Sequence, residues 1–103
     1  MASRLDVMRL TMIKIMELTS RHRKTMIDVL TIPPKSSIKW DDVISLIHNL
    51  GGIVKSGNGS RRKFILLGSL FQTHQPHPGN VMDKGAVSGL REWFENVIGV
   101  KYD

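Results

Sequence analysis

Four cations, Lys55, Arg61, Arg62 and Lys63, fall within nine residues around the turn Ser56-Gly57-Asn58-Gly59-Ser60, with no acid among them. Glycines free backbone amides, and adjacent cations supply charge; both are what a phosphate backbone needs. The same pattern suits a solvated hairpin whose charges block edge-to-edge strand pairing. Successive strand residues point to opposite faces, so at most one of Arg61 and Arg62 shares a face with Lys63. The contact candidates for an RNA backbone are Ser60, Arg61, Arg62 and Lys63, together with Lys55 and Lys84.

Histidine is the side chain whose ordinary titration range suits acid or base work near neutrality. The chain has His22, His48, His74 and His77. His22 sits in a basic run and reads as surface charge, and His48 reads as a helix-surface residue. His74 and His77 stand three apart at a proline-bound corner, and a ribonuclease that uses the 2′-hydroxyl as its nucleophile needs one acid and one base. They are the candidate catalytic pair, or else they merely fit a corner fixed by Pro76 and Pro78. As metal ligands they lack a third partner, with no cysteine or carboxylate beside them in sequence. No Gly-x-Ser-x-Gly elbow, Walker loop or dinucleotide-binding glycine pattern is present.

Composition narrows the classes. At 103 residues the chain has room for one domain, and a hydrophobic share of 41% argues against wholesale disorder. With no cysteine, a disulfide framework, a thiolate metal site and a cysteine nucleophile are all excluded. Fifteen Lys and Arg against nine Asp and Glu leave a net charge of +6, which points to a polyanionic partner. The longest apolar run, Phe64-Ile65-Leu66-Leu67, is far below the roughly 20 residues that span a bilayer. No membrane partner is expected, and the location expected is cytoplasmic. Residues 1–20 lack the apolar core and cleavage site of a secretory leader. Leu5, Met8, Met12, Ile15 and Met16 repeat instead at helical spacing, so this segment reads as a marginal helix or a flexible extension.

The elements that must position these residues follow from periodicity. Arg21 to Leu30 reads as a short helix with Thr19 or Ser20 as N-cap and Met26, Ile27 and Leu30 on its apolar side. Pro33-Pro34 ends it, and residues 21–36 form a short helix and linker. A second helix is capped by Ser37 and stopped by Gly51-Gly52, with Trp40, Val43, Ile44, Ile47 and Leu50 as its core stripe. Three short strands follow: Ile53 to Lys55, Arg61 to Leu67, and Leu70 to His74, the last two joined by a tight turn at Gly68-Ser69. The block from His74 to Asn80 closes the sheet, since two prolines cannot sit inside a paired strand. Asp83 caps a last helix whose apolar stripe is Ala86, Val87, Leu90, Phe94, Val97 and Ile98, with Trp93 at its edge and Gly99 as its stop. The fold class is α+β, a three-stranded antiparallel sheet with two helices on one face and the other face open.

Taken in order, these motifs resemble a known family. A Trp-Asp-Asp-Val helix closes in Leu-Gly-Gly (Trp40 to Gly52), and Gly59-Ser60 opens the basic strand Arg61-Arg62-Lys63-Phe64. A Pro-His-Pro corner (Pro76 to Pro78) then precedes a Lys-Gly-x-Val helix (Lys84 to Val87) that ends in Gly99-Val100. The pattern from about Arg21 to Val100 resembles the HicA toxins of bacterial toxin–antitoxin systems. The resemblance implies an α-β-β-β-α fold like a double-stranded-RNA-binding domain (dsRBD) over residues 37–103, with residues 1–20 as an extension. It implies a metal-independent ribonuclease, without cofactor, that cuts messenger RNA and is held inactive by a HicB-type antitoxin. Members of that family carry a histidine one to three residues after Gly-Ser; here those positions are Arg61, Arg62 and Lys63. Arginine cannot act as a base at neutral pH, though it can hold a phosphate. The catalytic candidates are therefore His77, which matches a family position, and then His74. The alternative is a non-catalytic RNA-binding or antitoxin-binding module of the same fold.

Overall fold

A computed structural model describes residues 15–99 of the chain. Among these residues, three complete helices and three strands follow in the order α1 (Ser20–Leu30), α2 (Trp40–Asn49), β1 (Ile53–Ser56), β2 (Arg61–Leu66), β3 (Ser69–His74) and α3 (Lys84–Ile98). The strands form one antiparallel sheet in the order β1-β2-β3. This α+β arrangement is compatible with an α-β-β-β-α layout, preceded by α1.

Each helix starts and stops for a local reason. The Thr19 hydroxyl accepts the His22 amide at the head of α1. Asp83 does the same for the Ala86 amide of α3 at 2.8 Å, and Gly99 ends that helix in the left-handed region. At the end of α2 the Gly52 amide bonds to the Ile47 carbonyl and the Gly51 amide to the His48 carbonyl, with Gly51 at φ +87°. That paired arrangement needs a residue free to take positive φ, which Gly51 supplies.

Two local expectations are corrected. Ser37 does not cap α2; Lys39 occupies that position without a side-chain bond. The helix start is fixed instead from outside, by Trp40 donating to the Asn80 carbonyl at 2.7 Å and a bridge between Lys39 and Val81. The β2–β3 turn is centred on Leu67-Gly68 rather than Gly68-Ser69, with φ of +52° and +75°. Two consecutive positive φ values match the twist of a two-residue hairpin. Leucine is uncomfortable there, but its side chain packs against the core.

One core unites all the elements. Phe64 and Leu66 of β2 meet Trp40, Val43, Leu46 and Ile47 of α2 and Val87, Leu90, Trp93 and Phe94 of α3. Trp93 is buried rather than marginal, and its indole N–H donates to the Ser69 hydroxyl at 3.0 Å. Leu46, outside the expected stripe, is fully buried, while Ile44 is only half-buried. From α1 the core receives Met26, Val29 and Leu30, whereas Ile27 is exposed. The helix therefore shares the core of the sheet and its two helices. Of the apolar positions seen in residues 1–20, Ile15 packs against the core and Met16 is exposed; Leu5, Met8 and Met12 lie outside the described residues.

The strap from α1 to α2 is held by charge. Asp28 accepts from Lys24 and from Lys35, each at 2.8 Å. Burial pushes the Asp28 carboxyl up, but the two ammonium groups more than offset this and hold it below its ordinary value. A carboxyl depressed in the folded state stabilises the fold above its unfolded pKa of about 3.9 and loses that contribution as pH falls further. Asp28→Asn is thus expected to cost about 1 kcal/mol at pH 7, a fall in Tm of about 5 °C. Thermal melts of the two proteins at pH 7 and pH 3 check this: the gap narrows at pH 3.

Candidate nucleic-acid interface

The ladder register decides what each face of the sheet carries. In β1–β2, Ile53 pairs with Ile65 and Lys55 with Lys63. In β2–β3, Arg61 pairs with His74, Lys63 with Gln72 and Ile65 with Leu70. Val54, Phe64 and Phe71 alternate with these residues and face the helices. The open face therefore has an apolar end, the row Ile53-Ile65-Leu70, with Ile53 52% and Leu70 47% exposed. Beyond it lie Lys55-Lys63-Gln72 and then Arg61-His74.

Lys55 and Lys63 are direct cross-strand partners of like charge, which destabilises a ladder unless an anion lies between or above them. Arg61 and Lys63 share this face, and Arg62 takes the other. Its guanidinium is committed: Nε donates to Gln75 Oε1 at 3.1 Å, and Nη1 donates to the Gly59 and Arg61 carbonyls at 3.0 and 2.7 Å. Arg62 thus braces the turn against the end of β3, while Arg61 and Lys63 present charge outward.

His74 closes the site. Its Nδ1 lies 3.0 Å from the Ser60 hydroxyl, and the next amide, Gln75, donates to the Ser60 carbonyl at 2.8 Å. The turn residue and the strand-end histidine are therefore locked together, and Arg61 stands directly across the ladder from the imidazole. A hollow of about 690 Å³ opens here, lined among others by Asn58, Arg61, Lys63, Gln72 and His74.

The other candidates are placed around this centre. His77 lines two smaller hollows, one of about 400 Å³ with Ser60 and Arg62, and one of about 450 Å³ with His74 and Asp83. Lys84 is exposed on the first turn of α3 and lines none of these hollows. His48 is exposed on α2. His22 is not a loose surface charge: Nδ1 meets the Thr19 hydroxyl at 2.9 Å and Nε2 the Asn49 amide at 3.2 Å, tying α1 to α2. Among the described residues no cluster of three His, Cys, Asp or Glu is arranged to hold a metal ion, and no helix is long and apolar enough to cross a membrane. Phe71, ambiguous from sequence, packs on Phe64 and Trp93; Tyr102 lies outside the described residues.

Two participants have no motif of their own. Gln75 braces Arg62, and Gln72 sits beside Lys63. Only the strand register could have found them. Compared with known proteins, the chain matches no family model, no curated protein and no solved structure.

Proposed function

We propose that this chain is a HicA-like toxin that binds messenger RNA in the basic hollow and cleaves it without a metal, restrained in the cytoplasm by a HicB-type antitoxin. The observation that carries the reading is the Ser60–His74–Arg61 arrangement: an imidazole fixed by a hydroxyl at 3.0 Å, with a guanidinium across the ladder. The family's histidine lies one to three residues after Gly-Ser; here Arg61, Arg62 and Lys63 hold those positions, and a histidine stands opposite the first of them, on β3. The layout of the sheet and helices supports a dsRBD-like reading of residues 37–103.

The chemistry runs through His74. In the tautomer that donates Nδ1–H to Ser60, Nε2 carries the lone pair and takes the proton of an RNA 2′-hydroxyl. The 2′-oxygen forms its bond to phosphorus as the P–O5′ bond breaks, leaving a 2′,3′-cyclic phosphate and a 5′-hydroxyl. Arg61 and Lys63 neutralise the charge that develops on the phosphoryl oxygens. His77, which lines the hollow of about 450 Å³ together with His74, is the second candidate, for returning a proton to the leaving oxygen.

A second reading keeps the binding and drops the cleavage. Arg61, Arg62 and Lys63, standing where the family carries its histidine, favour it; the strip Ile53-Ile65-Leu70 beside a lysine row suits an acidic antitoxin under either reading.

RNA binding tests both readings. Affinity for a mixed RNA is expected to fall with salt, with a log–log slope of about −2 to −3 for three or four phosphate contacts to a single strand. Arg61→Ala with Lys63→Ala should flatten that slope by about 1 to 1.5. Fluorescence anisotropy over a salt series measures it. Undetectable binding at about 50 mM salt contradicts both readings.

A further inference from the structure

The hollow of about 450 Å³ beside the basic one is within the roughly 300–1,000 Å³ of small-ligand sites. It differs sharply in chemistry from its neighbour. Pro76, Val81 and Ala86 give it apolar walls, Asn80 adds a polar edge, and Asp83 supplies a carboxylate. Neither Arg61 nor Lys63 lines it. His74 belongs to both hollows, so a chain with a phosphate at Arg61 and His74 passes directly beside the second hollow.

The walls are built before any ligand arrives. Met82 donates to the Ile38 carbonyl at 2.9 Å, the Asn80 carbonyl takes the Trp40 amide at 2.7 Å, and Gln75 is bonded to Ser60 at 2.8 Å. Both ends of the corner are thereby anchored, one to the start of α2 and one to the basic turn. A preformed recess lined by apolar side chains, the His74 and His77 imidazoles and a few polar groups suits a planar heterocycle.

Charge decides which part of a nucleotide enters. A carboxylate repels a second phosphate and accepts N–H donors. Asp83 commits Oδ1 to the Ala86 amide at 2.8 Å, leaving Oδ2 and the second lone pair of Oδ1 for a ligand. Among the bases, guanine presents two adjacent donors on its Watson–Crick edge, N1–H and N2–H. Adenine and cytosine pair one donor with an acceptor, and uracil sets one donor between two carbonyls.

Resting on the reading of the basic hollow as an RNA site, we propose that the Pro76–Ala86 hollow is a nucleobase subsite in which Asp83 selects guanine next to the bound phosphate. Asparagine and serine cap helices as well as aspartate does, so Asp83→Asn and Asp83→Ser keep α3 while removing the carboxylate.

The test uses uncleavable 2′-O-methyl oligonucleotides that differ at one position, guanine, hypoxanthine or uracil, and reads affinity by anisotropy. The wild-type chain is expected to bind the guanine oligonucleotide about tenfold tighter than the uracil one, with hypoxanthine, which lacks the N2 amine, between them. In Asp83→Asn and Asp83→Ser the three affinities converge to within about twofold, and the uracil oligonucleotide binds no more weakly than to wild type. Equal affinities in the wild type, or a guanine preference that survives both substitutions, overturn the subsite and leave the RNA reading standing. Failure of every oligonucleotide to bind overturns both.

Discussion

His74→Ala is expected to reduce RNA cleavage by about 10²- to 10⁴-fold, the contribution of a positioned general base, while leaving RNA affinity within about twofold of wild type. The side chain is exposed at the end of β3 and contributes nothing to the core, so the fold should be intact. Its removal leaves Arg61 and Lys63 in place, which is why binding survives. Single-turnover cleavage and anisotropy on the same RNA separate the two effects. His77→Ala should cost less than His74→Ala, because among the described residues His77 has no partner comparable to Ser60 to fix its ring. Equal activity of His74→Ala and wild type would place the chemistry elsewhere.

Phe64→Ala should be among the most damaging substitutions for stability, at about 3–5 kcal/mol. The ring is fully buried, with centroids 5.4 Å from Trp40, 6.0 Å from Phe71 and 6.4 Å from Trp93. Those contacts join the sheet to both covering helices, so the cavity opens where three elements meet. A domain of this size has about 5–15 kcal/mol in total, and Tm should fall by about 15 °C or more. Ile65→Ala, one residue along on the open face, should cost only about 1 kcal/mol. Urea denaturation of the three proteins measures the contrast. Similar losses for both variants would mean that the faces of β2 are assigned wrongly.

Much of the fold was legible because local signals agreed. The stripe from Trp40 to Leu50, the Asp83 cap and the Gly51 and Gly99 stops each have one strong physical cause, and the structure places them where those causes act. Ser37 misled because the start of α2 is set by contacts with Asn80 and Val81, some forty residues downstream, which no local pattern encodes. Leu67 at positive φ was equally hidden, since leucine carries no turn signal.

That one-residue difference in the turn matters most for the site. A turn centred on Gly68-Ser69 slides β3 by two residues along β2 and puts His74 opposite Lys63. Centred on Leu67-Gly68, it puts His74 opposite Arg61 and beside Ser60. The residue types of the site could be read from the sequence, but not their register. The role of Arg62 was out of reach for a related reason. Strand alternation shows that Arg61 and Arg62 diverge, yet only the position of Gln75 reveals which arginine is spent on bracing.

Metal-free cleavage is tested by incubating the wild-type chain with end-labelled messenger RNA in EDTA and analysing the new ends. Fragments that end in 2′,3′-cyclic phosphate and begin with a 5′-hydroxyl are expected, formed at the same rate with and without chelator. RNA that is bound but stays intact, or cleavage that stops when divalent ions are removed, would contradict it.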